Sequence, residues 1–126
     1  MIYRIGIIGL LLVQSCMAPR AEPATALDVV AFELESKKGL LVDVRTEAEV
    51  ADGIIATAKH VDFYGPNFLS EMEALGKNKP LYIYCRSGGR SGQALDMLKA
   101  AGFTRVHHLE GGFMAWKASG RPSVQP

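Results

Sequence analysis

The chain has 126 residues, of which 48% are hydrophobic and 21% charged, the composition of a single globular domain with a core of its own. Its 14 basic and 13 acidic residues give a formal net charge of +1, which excludes a general electrostatic attraction to nucleic acid. Any cationic feature that matters must therefore be local, and Arg86 with Arg90 form the clearest local pair.

The N-terminus has the features of a signal peptide. Arg4 precedes a run of apolar and glycine residues, 5–13, that is too short for a membrane-spanning helix, which needs about 20 residues. A basic start, a short apolar core and small residues near a cleavage point are typical of secretion signals. The residues VQSC, 13–16, resemble a bacterial lipobox, in which the cysteine becomes the lipidated first residue of the mature chain.

Two kinds of processing remain open for this segment. If Cys16 is lipidated, residues 1–15 are removed as the signal peptide and residues 16–25 form a tether. Otherwise an ordinary signal peptidase cuts near Ala18, Ala24 or Ala26, and Cys16 is discarded. Both alternatives predict a protein of the bacterial cell envelope, which is periplasmic and, in the first case, anchored by its lipid.

The cysteine count then draws attention to one thiol. Cys85 is the only cysteine besides Cys16, so the mature monomer has no disulfide framework. A free thiol is unusual in an oxidising compartment and needs an explanation. A small buried hydrophobic residue is the commonest explanation for a lone cysteine, but the neighbours of Cys85 favour a chemical role.

Apolar runs and capping residues predict an alternation of strands and helices. Asp28 and Gly39 bound the first predicted helix, and Thr46 with Glu49 has the spacing of a capping box. The predicted helices are 29–38, 47–51, 68–75, 91–101 and 112–119, and the predicted strands are 40–44, 59–62, 81–85 and 104–107. This pattern indicates one α/β domain, residues 26–122 with a tail at 123–126, in which a central, mostly parallel sheet has helices on both faces.

The loop CRSGGRS, 85–91, follows the apolar strand LYIY, at the sheet edge where parallel sheets bind ligands. Gly88 and Gly89 allow the loop to curl and to turn its N–H groups inward, as in an anion-binding nest. The helix that begins near Ser91 adds free N–H groups and the positive end of its dipole. A thiol held over such donors ionises more readily, and the thiolate is the nucleophile.

Three stretches resemble the rhodanese family of single-domain sulfurtransferases, and together they cover roughly residues 24–122. LVDVRTEAEV, 41–50, is similar to the family's strand with its Asp-x-Arg segment and following glutamate. CRSGGRS is similar to the active-site loop, and HLEGGFMAWKASGRP, 108–122, to the closing segment. Because the three occur in the family's order and spacing, the resemblance implies a rhodanese-like α/β fold.

The resemblance also implies a sulfurtransferase of the thiosulfate:cyanide type. Cys85 is the expected catalytic residue: it attacks the outer sulfur of thiosulfate or a similar anion, holds it as a persulfide, and passes it to a thiol, a protein or cyanide. The expected substrate-binding residues are the rest of the loop, Arg86, Ser87, Gly88, Gly89, Arg90 and Ser91. No metal and no organic cofactor are implied, because sulfur is the only group carried.

Three other functions are weighed against this one. A sulfur-carrier domain would accept sulfur on Cys85 from a partner protein and turn over small donors poorly. In a redox-stress or scaffold domain the chemistry of the thiol would be incidental, and the intact loop with both arginines disfavours this alternative. Phosphatases of this fold need Cys-x5-Arg, whereas Cys85 to Arg90 is Cys-x4-Arg, a shorter loop that suits attack on sulfur.

One segment departs from the family pattern. GIIATA, 53–58, stands where the family usually has Gly-His-Ile-Pro-Gly-Ala, so the loop beside the site and the substrate preference are in question. Asp43 and Arg45 are interpreted as structural, with Arg45 paired to Glu47 or Glu49. Three histidines lack cysteine or carboxylate partners at metal-ligand spacing and are interpreted as structural or surface residues: His60, His107 and His108.

Overall fold

The computed structural model of the chain describes residues 25–126. The predicted signal peptide, the lipidation of Cys16 and the tether up to residue 24 lie outside the described residues. Within residues 25–126, no helix has both the length and the apolar character needed to cross a membrane.

Five strands and five α-helices alternate along the described part of the chain. The strands are β1 Thr25–Leu27, β2 Leu40–Asp43, β3 Lys59–His60, β4 Leu81–Tyr84 and β5 Val106–Leu109. The helices are α1 Val29–Glu35, α2 Glu47–Ala51, α3 Phe68–Ala74, α4 Gly89–Ala100 and α5 Gly112–Ala118, and a short 3₁₀ helix, Ser36–Lys38, follows α1.

The strands form one sheet in the order β1-β5-β4-β2-β3, and its strand pairs are all parallel. Strand β4 lies at the centre, and its four residues LYIY are all buried because helices cover both of its faces. Ile83 is in register with Val42 of β2 on one side and with His108 of β5 on the other. The carboxyl ends of β2, β4 and β5 therefore meet at one edge of the sheet.

Alternate side chains of each strand face opposite sides of the sheet and build two cores. On one side Ile83, Val106 and Cys85 pack with residues of α3 and α4, including Met72 and Leu98. The other core joins strand residues to α1 and α5: Leu41, Tyr82, Tyr84, Phe32, Phe113 and Trp116. The predicted α/β architecture with helices on both faces is confirmed.

Individual elements differ from prediction by a few residues. Strand β1 is absent from the predicted elements, because three residues are too few to show an alternating pattern and its formation depends on pairing with β5. Helix α4 begins at Gly89, two residues before the predicted start at Ser91, because Gly88 in a left-handed conformation caps it. The predicted first helix, 29–38, ends as an α-helix at Glu35 and continues as the 3₁₀ turn.

The C-terminal residues pack against the segment GIIATA. Ile54 and Val124 exchange two backbone hydrogen bonds of 2.8 Å in an isolated antiparallel bridge. Contacts of the domain therefore extend beyond Pro122, into the residues predicted as a tail. This bridge holds one end of the departing segment in place.

Candidate active site

Strand β4 delivers Cys85 to the carboxyl edge of the sheet, where α5 anchors the start of the loop. The carbonyl of Cys85 accepts a hydrogen bond of 2.8 Å from the N–H of Phe113, and that of Arg86 accepts one of 2.9 Å from Met114. Gly112 allows this approach, because a Cβ there would lie only 2.5 Å from the carbonyl carbon and oxygen of Arg86. The Gly-Gly pair of the closing segment thus fixes the position of the cysteine.

The loop curls around the sulfur within three residues, 86–88, before α4 begins. Gly88 has φ +102°, a left-handed conformation that favours glycine, and it places its N–H 3.1 Å from the sulfur of Cys85. The hydroxyl of Ser91, in the first turn of α4, lies 3.4 Å from the same sulfur. In the thiol form Cys85 donates to the Ser91 oxygen; an ionised sulfur can only accept, and the loop N–H and the hydroxyl are then its donors.

These donors change the acidity of the thiol. Burial alone would raise the pKa of Cys85, which is only 1% exposed. The Ser91 hydroxyl and the backbone N–H groups of Ser91, Gly88 and Ser87 outweigh this effect and bring the pKa of Cys85 below its usual value. The thiol of Cys85 therefore ionises more readily than an ordinary cysteine, and the thiolate is the reactive form of the side chain.

The second arginine of the loop is paired, which the sequence did not indicate. Arg90 donates two hydrogen bonds to the carboxylate of Glu49, at 2.7 and 2.9 Å. This fork lowers the pKa of Glu49 to about 2, against the cost of burial and with help from Thr46. The expectation that Arg45 pairs with Glu47 or Glu49 is wrong: Glu49 binds the active-site loop instead, and links α2 to α4.

Arg45 binds Asp43, the residue two positions before it. The guanidinium Nε and Nη2 reach Asp43 Oδ2 at 3.0 and 2.7 Å, and both residues are buried. Nη2 also donates to the carbonyl of Gly53 at 2.6 Å, and the Tyr84 hydroxyl accepts from the N–H of Ile55 at 3.0 Å. These buried groups hold the segment GIIATA without the family's usual histidine, proline and second glycine.

Arg86 has different surroundings from Arg90. Its side chain is exposed and lines an open cavity of about 300 Å³ beside the loop, together with Phe113, Met114 and Lys117. The cavity is lined by three cationic side chains, Arg45, Arg86 and Lys117, and by two carboxylates, Glu49 and Asp52. The two loop arginines that were predicted to act together are thus differently engaged: Arg86 lines the open cavity, and Arg90 is held by Glu49, which also lines that cavity.

A tyrosine lies next to Arg90. Tyr64 is 68% exposed, and the guanidinium of Arg90 lies 5.8 Å from the centre of its ring. Its neighbour Phe63 contacts Phe68 edge to face, and Phe68 is buried. Within residues 25–126, no group of three or more histidine, cysteine or acidic residues is arranged to hold a metal ion.

Comparison with known proteins agrees with this geometry. The family model described as "Rhodanese-like domain" matches residues 27–119. The chain belongs to the rhodanese-like family. The matched residues include the strands β2, β4 and β5 and the loop that carries Cys85.

Two relatives and one solved structure illustrate the similarity. This rhodanese-like chain is 42% identical to a protein named "Sulfurtransferase" from Allochromatium vinosum, over 69% of the chain and 79% of that protein. It is 32% identical to "Thiosulfate sulfurtransferase GlpE" from Ectopseudomonas mendocina, over 71% of the chain and 80% of that protein. A crystal structure of a rhodanese-related protein from Thermoplasma volcanium superposes with a TM-score of 0.73 at 24% identity, over 81% and 99% of the two chains, which shows the fold.

Sequence analysis missed two contributors to this rhodanese-like site. Glu49 was interpreted as part of a capping box and as a possible partner of Arg45, whereas its bond to Arg90 joins residues 41 positions apart. His108 was interpreted as structural or surface, yet its Nδ1 lies 2.9 Å from the hydroxyl of Ser91. No local signal identifies either contact, because each depends on how distant segments pack.

Proposed function

We propose that this rhodanese-like domain is a sulfurtransferase of the thiosulfate type, in which Cys85 carries the sulfur as a persulfide. The observation that supports the proposal is the convergence of Gly88 N–H and the Ser91 hydroxyl on the Cys85 sulfur. Such donors stabilise a thiolate before attack and a persulfide anion after it. The relative named thiosulfate sulfurtransferase supports the choice of donor.

The proposed reaction needs only a sulfur donor and a sulfur acceptor. The Cys85 thiolate attacks the outer sulfur of thiosulfate and forms a new S–S bond. The S–S bond of thiosulfate breaks, and sulfite leaves with its electron pair. The Cys85 persulfide anion then gives its outer sulfur to cyanide, which becomes thiocyanate, or to a thiol, which becomes a persulfide, and the Cys85 thiolate is restored.

The roles proposed for the loop follow from its contacts. The backbone N–H groups of Ser87, Gly88 and Ser91 stabilise the anionic sulfur, and Arg86 attracts the anionic donor from the side of the open cavity. Arg90 maintains the loop through Glu49 more than it attracts the donor, since its charge is already paired. Gly89 begins α4 and leaves room at the mouth of the loop, where a Cβ would meet nothing within 4 Å.

A second candidate is a sulfur-carrier domain that exchanges sulfur with a partner protein. The pairing of Arg90 with Glu49 favours it, because this pairing removes one positive charge that a small anion would use. The two candidates share the Cys85 persulfide and differ in turnover with small donors.

The proposal is tested on the chain with Cys16→Ser, in which Cys85 is the only thiol. The protein is incubated with thiosulfate, its intact mass is measured, and cyanide is added while thiocyanate is assayed. We expect a mass gain of one sulfur that cyanide discharges with repeated turnover, and neither result in the additional variant Cys85→Ser.

The other outcomes separate the candidates. A mass gain with little thiocyanate would favour the carrier, and so would uptake of sulfur from a protein persulfide but not from thiosulfate. Absence of any gain from either donor, in a protein whose circular dichroism shows a folded domain, would contradict both.

A further inference from the structure

Ser91 lies between the sulfur of Cys85 and the imidazole of His108. Its Oγ is 3.4 Å from the sulfur and 2.9 Å from His108 Nδ1. The hydroxyl has a single hydrogen, so it can donate to the sulfur or to the imidazole, but not to both at once. The carbonyl of Gly88, also 3.4 Å from Oγ, is a third acceptor that competes for that hydrogen.

His108 reaches this position through the sheet. Strand β5 lies beside β4, and the Cα of His108 is in register with Ile83, two residues before Cys85. Its ring occupies space left by two glycines: a Cβ on Gly92 would lie 3.6 Å from His108 Cε1, and one on Gly88 would lie 4.0 Å from it. The imidazole therefore packs directly against the loop and the first turn of α4.

The position of the hydrogen on the imidazole decides which way the hydroxyl points. If Nδ1 has a hydrogen, it donates to Ser91 Oγ, and the hydroxyl hydrogen is left for the sulfur. If Nδ1 has none, it accepts the hydroxyl hydrogen, and the sulfur faces a lone pair of the oxygen. Only the first arrangement adds to the stabilisation of a thiolate, because only then does the sulfur receive a hydrogen bond from the hydroxyl besides the one from Gly88 N–H.

We propose that His108 is a positioning residue for Cys85, whose Nδ1–H holds the Ser91 hydroxyl so that the hydroxyl donates to the sulfur anion. The inference rests on the proposed function, since the thiolate is the species that takes up sulfur. It extends that function by adding a residue from a neighbouring strand that acts on the sulfur through the Ser91 hydroxyl.

The surroundings of His108 are compatible with a neutral ring in this role. Burial lowers the pKa of His108, and the carboxylates of Glu110, before α5, and of Asp96, on α4, oppose that effect. Ser91 lies between the ring and Cys85. On β1, the register partner of His108 is Ala26, which has no titratable side chain. A neutral ring supplies an Nδ1–H when its other nitrogen is unprotonated, so no full charge is needed.

The test measures the pH dependence of Cys85 alkylation by iodoacetamide, in the full chain with Cys16→Ser and without any sulfur donor. The midpoint of this profile reports the pKa of the thiol. We expect His108→Phe to raise the midpoint by about half a unit to one unit, because the hydroxyl loses the partner that directs it. His108→Asn can place an N–H donor near the position of Nδ1 but cannot titrate, and it should restore most of the shift.

A double-mutant cycle shows whether His108 acts through the hydroxyl. In a Ser91→Ala background, His108→Phe should cause no further shift, since the intermediary is already gone. The control is His107→Phe on the opposite face of β5, where Nδ1 contacts Thr25 and the ring stacks on Tyr82. It should leave the midpoint unchanged, which excludes a general disturbance of the strand.

Several results would overturn the inference. They are an unchanged or lowered midpoint in His108→Phe, an equal shift in His108→Asn, or a shift that persists in the Ser91→Ala background. Thermal unfolding of each variant confirms that the domain is folded at the pH values used. Because alkylation needs no sulfur donor, this inference and the proposed sulfurtransferase activity can fail independently.

Discussion

At the scale of single residues, Thr57 adopts a conformation that its side chain disfavours. Its φ is +71°, and among the described residues it is the only non-glycine residue with a positive φ. A β-branched side chain in the left-handed region costs about 1–2 kcal/mol. Thr57 stands at the glycine position of the family's usual motif, and glycine is the residue that this conformation favours.

Thr57→Gly should therefore stabilise the domain. The stability gained by relieving the strain is larger than the stability lost because glycine raises the entropy of the unfolded chain. We expect a net gain of about 0.5–1 kcal/mol in the free energy of unfolding. Urea denaturation measures this change. The matched control is Ala56→Gly in the same loop, where φ is not positive and only the entropy cost applies. A loss of stability in Thr57→Gly as large as in the control would show that Thr57 is not strained.

At the scale of secondary-structure elements, the start of α5 positions the cysteine loop. Gly112 has φ +60°, and a Cβ on it would lie 2.5 Å from the Arg86 carbonyl group and 2.6 Å from the Cys85 carbonyl oxygen. Both contacts are with backbone, which cannot move aside as a flexible side chain would. The helix and the loop must therefore separate if residue 112 acquires a side chain.

Gly112→Ala should destabilise the domain by about 3 kcal/mol or more, through steric overlap added to backbone strain. Gly120→Ala is the control for strain alone, since Gly120 has φ +79° and a Cβ there would meet nothing within 4 Å. It should cost only about 1 kcal/mol. The measurements are urea denaturation and the rate of Cys85 alkylation. Equal losses of stability in the two variants would mean that the close approach of α5 does not matter.

At the scale of the whole molecule, the ion pair of Glu49 and Arg90 joins α2 to α4. This pair makes the stability of the domain depend on pH. The pKa of Glu49 is lowered from 4.5 to about 2 in the folded protein, chiefly by Arg90. Because the folded pKa is the lower one, the stabilisation is fully present above pH 4.5 and is lost as the pH falls towards 2. The capping box of α2, which the same carboxylate completes with Thr46, adds to this effect.

Glu49→Gln tests this dependence, since glutamine can keep the capping interaction but not the charge. We expect the variant to be less stable than the parent by about 2 kcal/mol at pH 7, with the difference shrinking between pH 4.5 and 2. Urea denaturation at several pH values measures it. Glu35→Gln, which breaks only an exposed pair with Lys38, should change stability by less than about 0.5 kcal/mol. A difference that stays constant down to pH 2 would contradict the role of the carboxylate.

The sequence by itself determined the features that depend on neighbouring residues. The apolar run LYIY, the thiol that follows it and the two glycines after that thiol are consecutive, so their order alone predicts a strand, a cysteine at its end and a curled loop. The capping residues Asp28 and Thr46 act over three positions and were predicted correctly. The alternation of such elements also predicted the parallel sheet with two covered faces.

Only the tertiary structure decided which distant groups meet. Arg90 was expected to serve the oxyanion, but packing of α2 against the loop brings Glu49 to it across 41 residues. His108 became a neighbour of Ser91 because β5 lies beside β4, and β1 exists because β5 offers a free edge to it. Side-chain pairing of this kind depends on strand order and helix placement, which are set by the burial of the whole core and leave no local trace in the chain.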